Sequence, residues 1–65
     1  MPKQNAPRIL GLLRYAGPGV RVGQDWIANH LSLSASEVSD ALDVIETKTF
    51  RVMRIRGVGA SVAMA

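Results

Sequence analysis

The chain has 65 residues, of which 48% are hydrophobic and 20% are charged, and its formal net charge is +3. This length allows one domain with a small core, and many domains of this size gain stability by pairing or by binding a partner. Because the sequence contains no cysteine, it excludes a disulfide framework, a thiolate zinc site and a thiol nucleophile. The first residues lack the apolar segment of a signal peptide, and no apolar run reaches membrane-spanning length, so we expect a soluble, cytoplasmic protein.

The first predicted element is a helix that begins at Pro7, because proline suits a first helical turn, where its missing N–H costs nothing. Its apolar residues recur at helical spacing and comprise Ile9, Leu12, Leu13 and Ala16. The glycines and proline of Gly17–Gly19 end this helix. The segment Val20–Val22 then predicts a short edge strand. We interpret residues 1–6 as a flexible N-terminal arm and residues 7–65 as a single domain.

Two further helices are predicted on either side of a short turn at Ser32-Leu33. The earlier one starts at Gly23 or Gln24. Its apolar face comprises Ile27, Ala28 and Leu31. In the later one, Ser34 and Glu37 are spaced as a capping box, in which the hydroxyl meets the N–H of Glu37 and the carboxylate reaches back. The buried stripe of this third helix comprises Val38, Ala41, Leu42 and Ile45.

The C-terminal part of the chain predicts a β-hairpin. Phe50–Arg56 is rich in β-formers, Gly57–Gly59 is a turn signal, and Ala60–Ala65 returns as a strand of small residues. The resulting order is helix, short strand, helix, turn, helix and hairpin. This order indicates an α+β fold.

The most specific motif runs from Ala28 to Glu46 and reads Ala-x-x-Leu-Ser-Leu-Ser-x-Ser-x-Val-Ser-x-Ala-Leu-x-x-Ile-Glu. Followed by a hairpin, it resembles the winged helix-turn-helix family over roughly residues 7–65. The resemblance implies three helices, a C-terminal hairpin wing and a short strand near Val20–Val22. One departure is Thr49, because many members have glycine at this left-handed helix end. We therefore expect the third helix to end differently here.

The resemblance also implies a small DNA-binding protein that regulates transcription, replication or recombination. Its contacts would come from the start of the third helix and from a basic wing. The residues expected to contact DNA are Ser34, Ser36, Ser39, Asp40, Arg21, Arg51, Arg54 and Arg56. Hydroxyls and arginines would bind phosphates, and Asp40 would accept a hydrogen bond from a cytosine amino group. The partner would be double-stranded DNA, and the protein would bind it as a dimer or an array. The protein would then be associated with the nucleoid.

The distribution of charge keeps a second hypothesis open. Residues 1–21 carry +4, residues 22–47 carry −5, and residues 48–65 carry +4. The third helix is therefore acidic where a DNA reader would meet phosphates. The alternative is a protein-interaction or head-to-tail self-assembly module without direct major-groove reading. Its contact residues would be Glu37, Asp40, Asp43 and Trp26. A further interpretation is that some of the four arginines neutralise the acids of the third helix within the same molecule.

Catalysis and metal binding find little support in the sequence. His30 is the only histidine, and no cysteine can join it as a nucleophile or ligand. Asp40 and Asp43 alone make a poor cation site. We predict a protein that is not an enzyme, holds no metal and uses no cofactor.

Overall fold

A computed structural model describes residues 5–49 and 51–65, and in these residues the chain forms three helices and a three-stranded antiparallel sheet. The helices are α1 (Asn5–Ala16), α2 (Gln24–Leu31) and α3 (Ala35–Thr49), and the strands are β1 (Val22–Gly23), β2 (Val52–Ile55) and β3 (Ser61–Met64). The predicted α+β class and element order are confirmed. None of the helices in these ranges has the length and apolarity needed to cross a membrane.

Helix α1 begins two residues earlier than the sequence predicts. Asn5 and Ala6 are helical and buried, whereas residues 1–4 of the predicted arm, like Phe50 in the predicted hairpin, lie outside the described residues. Pro7 still lies in the first turn, where backbone N–H groups have no intrahelical partner. The helix ends at Ala16, and the next residue, Gly17, has a φ of +104° and donates its N–H to the Leu13 carbonyl at 3.0 Å.

The short strand also lies later than predicted, at Val22–Gly23 rather than Val20–Val22. Val22 is buried and lies opposite Val62 of the central strand, whereas Val20 is exposed. The sheet order is β1-β3-β2, so β3 pairs with both neighbours. Because the side chain of Val22 enters the core opposite Val62, it determines which residues of β1 pair with β3.

The hairpin places alternate residues of β2 on opposite faces of the sheet. Arg54 lies opposite Val62 and points towards the helices, whereas Met53 and Ile55 are half-exposed on the outer face. The turn closes when the Ala60 N–H donates to the carbonyl of Gly57 at 3.1 Å. The inner face of β2 thus brings a charged side chain against α3.

The core forms where the three helices meet the sheet. Its buried apolar side chains are Ala6, Ile9, Leu13, Val22, Ile27, Val38, Ala41, Leu42, Ile45 and Val62. The stripe predicted for α3 is confirmed, since each of its four residues is 3% exposed or less. Burial of a large aliphatic side chain contributes about 1.5–3 kcal/mol, so this stripe holds α3 in place.

A left-handed residue joins α2 to α3. Ser32 has φ 56° and ψ 44°. The Leu33 N–H donates to the Ala28 carbonyl at 2.8 Å, and the Ser32 N–H donates to the Asn29 carbonyl at 3.4 Å. These two bonds form a Schellman motif, in which glycine usually takes the left-handed position.

The predicted capping box at the start of α3 is confirmed. The Ser34 N–H donates to Oε1 of Glu37 at 2.9 Å, and the Glu37 N–H donates to Oγ of Ser34 at 3.1 Å. At the other end, α3 includes Thr49. Ser32 is the only described non-glycine residue with a positive φ, so no left-handed residue at Thr49 ends this helix.

The left-handed conformation of Ser32 predicts that Ser32→Gly raises the free energy of unfolding by about 0.5–1 kcal/mol. The left-handed conformation destabilises a non-glycine residue by about 1–2 kcal/mol. Glycine avoids this strain, but its greater conformational freedom in the unfolded chain cancels part of the stability gained. Gly59→Ala is the matched control, because Gly59 has φ +73° and open space around the added Cβ. It should lower stability by about 1 kcal/mol. Urea denaturation measures both, and a less stable S32G variant would contradict the assignment.

Candidate functional site

One side of α3 faces the hairpin with polar residues at helical spacing. Ser39, Asp43 and Glu46 are four and three residues apart, which puts them on one stripe of the helix. This stripe lies beside the buried one, and β2 packs against it. Ser39 was expected to contact DNA and Asp43 to contact a protein partner, but their side chains bond to the hairpin.

The guanidinium of Arg54 binds all three residues of this stripe. Its Nη1 donates to Oδ1 of Asp43 at 2.5 Å and to Oε1 of Glu46 at 2.8 Å, and its Nη2 donates to Oγ of Ser39 at 2.9 Å. The side chain is only 3% exposed. Such burial of a charge is costly unless hydrogen bonds and opposite charges offset it, and here both are present.

The electrostatics of Arg54 keep it charged. Burial lowers its pKa, but hydrogen bonds to Glu46 and Asp43 outweigh this effect, so the pKa lies above its ordinary value. Its Nε is buried and has no hydrogen-bond partner within residues 5–49 and 51–65. One unsatisfied donor therefore accompanies three strong bonds, and the arginine serves to hold the hairpin against α3.

Arg56 shares the same acids but remains in contact with solvent. Its Nη2 donates to Oε1 of Glu46 at 3.1 Å and lies 3.6 Å from Oδ1 of Asp43, and its side chain is 64% exposed. We call these five residues the ion-pair cluster: Ser39, Asp43, Glu46, Arg54 and Arg56. Two carboxylates and two guanidiniums make its net charge zero.

Two carboxyl groups of α3 have lowered pKa values. The hydrogen bonds with the backbone and hydroxyl of Ser34 lower the pKa of Glu37. The hydrogen bond from Arg54 lowers the pKa of Asp43, and the charges of Arg54 and Arg56 add to the effect. Both carboxylates are therefore ionised at neutral pH, as cap and ion pair require.

Of the residues in or next to α3 predicted to contact DNA, two already form hydrogen bonds within the molecule and the other two are exposed. The hydroxyls of Ser34 and Ser39 already accept hydrogen bonds from Glu37 and Arg54. Ser36 and Asp40 are exposed, and neither bonds to another side chain in the described part of the molecule. The outward face of α3 is thus narrower than predicted, and Asp40 is an exposed carboxylate outside the capping box and the bonds to the hairpin.

The predicted basic contacts do not all lie on one face of the sheet. Arg21 is exposed, and its Nη1 donates to Oγ of Ser61 at 3.1 Å. Ser61 pairs with Ile55 on the outer face of the sheet, whereas Arg54 lies on the inner face. Arg51 is exposed. Arg21 and Arg54 are therefore separated by the thickness of the sheet.

Among the residues of the protein-interaction hypothesis, Trp26 is 51% exposed and Glu37 and Asp40 are exposed. The indole of Trp26 stacks on the ring of His30, with centroids 4.8 Å apart and planes inclined by 12°. Asp43 is also exposed, but its carboxylate belongs to the ion-pair cluster. Glu46 was not predicted as a site residue, although its spacing from Asp43 is a signal that indicates a shared helix face.

The unequal burial of the two arginines predicts unequal effects on stability. Arg54→Met keeps the apolar stem and should lower the free energy of unfolding by about 2 kcal/mol, because hydrogen bonds to charged groups contribute about 1.5–3 kcal/mol. Arg56→Met is the matched control and should cost less than about 1 kcal/mol, since exposed ion pairs contribute little. Urea denaturation at neutral pH measures both, and equal losses would show that burial does not distinguish them.

The lowered pKa values predict a loss of stability in acid. Glu37 and Asp43 titrate below their ordinary values of 4.5 and 3.8, so the folded state binds fewer protons than the unfolded chain. Their stabilisation is complete above those values and disappears as pH falls through the lowered ones. Unfolding free energies measured from about pH 6 to about pH 2 should therefore fall below about pH 4. A variant with both E37Q and D43N should show a flatter profile, and an unchanged profile would contradict this assignment.

Comparison with known sequences gives no relative whose site residues could be transferred to this chain. No protein-family model matches the sequence, and no curated protein gives a significant match. The contacts of α3 with the hairpin are therefore the basis for a functional conclusion.

Proposed function

We propose that this chain is a small DNA-binding protein with a winged helix-turn-helix fold, which regulates transcription, replication or recombination. The layout supports this proposal. Helix α2, the three-residue turn Ser32–Ser34 and α3 follow one another as in a helix-turn-helix unit, and the β2–β3 hairpin lies beside α3 as a wing would. In this arrangement, α3 is the helix that approaches the major groove.

The neutral ion-pair cluster is the observation that carries this proposal. An uncompensated aspartate about 7 Å from a phosphate is repelled by about 0.6 kcal/mol in water, and several phosphates surround a bound helix. Because Arg54 and Arg56 neutralise Asp43 and Glu46, phosphates beside this stripe would meet no net charge. The main electrostatic objection to DNA binding by α3 is therefore much reduced.

The accessible groups suggest how contacts are divided. Ser36 and Asp40 project from the outward face of α3 and would contact the groove, where a carboxylate accepts a hydrogen bond from a cytosine amino group. Exposed Lys48, Arg51 and Arg21 would bind backbone phosphates on either side. Phosphate contacts would provide affinity, and the two helix residues would provide base preference.

The size of the molecule favours binding by more than one copy. The fold measures 26 × 24 × 21 Å, whereas one turn of B-DNA spans about 34 Å. A single copy would cover less than one turn and read only a few base pairs. We therefore propose that the protein acts as a dimer or an array along double-stranded DNA, and that it is cytoplasmic and nucleoid-associated.

The half-exposed Trp26 favours a second candidate function, which is protein interaction or head-to-tail assembly. Large aromatic side chains are frequent anchors of protein interfaces. Glu37 and Asp40 remain exposed and are not part of the neutral ion-pair cluster, so the start of α3 would present negative charge to a basic partner. This surface and the DNA-binding surface share Asp40, so the two functions would compete.

Titration of a fluorescent duplex of about 20 base pairs tests DNA binding. If three phosphates are contacted, the logarithm of the association constant should fall with the logarithm of salt concentration with a slope of about −2.7. Lys48→Gln should reduce that slope by about 0.9, whereas Asp40→Asn should alter base preference and leave a strong salt dependence.

Absence of salt-dependent binding at about 50 mM salt would reject DNA binding. Sedimentation of the same samples addresses the second candidate. Assembly that Trp26→Ser or Asp40→Lys abolishes, without any binding to DNA, would favour the protein-interaction function instead.

A further inference from the structure

We infer that Arg56 is a conditional phosphate ligand, for which Glu46 and Asp43 of the same molecule compete with the DNA backbone. This inference rests on the proposed DNA binding and names a regulatory contact within that site. In the free protein the acids hold Arg56 beside α3. In the complex the guanidinium would exchange them for a phosphate, while Arg54 remains in place.

The two arginines of the ion-pair cluster differ in their freedom to exchange partners. Arg54 is 3% exposed and makes three hydrogen bonds, so its release would expose a buried charge and detach β2 from α3. Among the described residues, Arg56 is 64% exposed and makes one hydrogen bond, to Glu46 at 3.1 Å. An exposed ion pair of this kind contributes little free energy, so a phosphate can displace it.

The position and chemistry of Arg56 suit a phosphate partner. It follows β2 directly and precedes the exposed turn Gly57–Gly59, at the part of the hairpin nearest its tip. A guanidinium matches the oxygens of a phosphate with two parallel N–H bonds. Each phosphate bound also releases counterions from the duplex, which an exchange between two groups of the protein does not do.

The carboxylates would not be left unpaired by the exchange. Glu46 and Asp43 each keep their bond to Arg54, at 2.8 and 2.5 Å. The cluster changes from zero to one negative charge when Arg56 leaves it. The acids therefore weaken the phosphate contact of Arg56 by competing for its guanidinium.

A double-mutant cycle between Glu46 and Arg56 tests this competition. Glu46→Gln removes the nearest partner of Arg56 but leaves Arg54 bonded to Asp43 and Ser39. Duplex affinities are measured for the natural chain, E46Q, R56Q and the E46Q/R56Q double variant. We expect E46Q to tighten binding about fivefold when Arg56 is present and less than about twofold in the R56Q background, because only the first case frees a cation.

Asp25→Asn is the matched control, because Asp25 is an exposed acid of α2, outside the proposed DNA contacts, that pairs with no arginine in the described structure. It removes one negative charge without freeing a guanidinium, so its effect on affinity should be the same with Arg56 or with R56Q. Equal effects of E46Q in the two backgrounds would overturn the inference, since they would show only general repulsion.

A second measurement uses the natural chain alone. In NMR spectra recorded during titration with duplex DNA, the Nε–H signal of Arg56 should shift and that of Arg54 should not. An unmoved Arg56 signal in a saturated complex would overturn the inference even if E46Q fails to fold. If none of the four proteins binds DNA, the proposed function falls together with the inference. Binding with an unmoved Arg56 signal rejects the inference alone.

Discussion

The guanidinium of Arg54 lies between α3 and the sheet, and the position of the hairpin depends on its bonds. Three polar side chains on one stripe of the helix bond to this guanidinium and so connect α3 to β2. Together with Arg56, it neutralises Asp43 and Glu46, whereas Ser36 and Asp40 stay exposed outside this cluster. One buried side chain thus affects both the packing of the hairpin and the surface electrostatics of α3, in agreement with the need to pair any charge that leaves water.

Local patterns in the sequence predict the helical part of this molecule well. The capping box of Ser34 and Glu37 involves residues three apart, so its geometry follows once the helix forms. The stripe from Val38 to Ile45 is buried because helical periodicity puts it on one side. The position of α3, its N-terminal end and its buried face could therefore be predicted without knowledge of tertiary contacts.

The site could not be predicted to the same degree, because it joins residues distant along the chain. Arg54 and Arg56 lie eight or more positions from their acidic partners, and the register of β2 against α3 decides which arginine is buried. Alternation along β2 predicts that Arg54 and Met53 lie on opposite faces of the sheet, but it does not predict which of them contacts the helix. The shift of β1 to Val22–Gly23 has the same origin, since it follows from pairing with β3.

The buried arginine also defines the register of a hairpin that apolar pattern alone leaves ambiguous. Strand β2 carries Val52 on its inner face and Met53 and Ile55 on its outer face, so hydrophobic residues occur on both sides. A slip of one residue would turn Arg54 to solvent and place Met53 and Ile55 against Asp43 and Glu46. That arrangement would leave two carboxylates unpaired beside apolar side chains. The charge of Arg54 therefore makes the observed register far more stable than a register shifted by one residue.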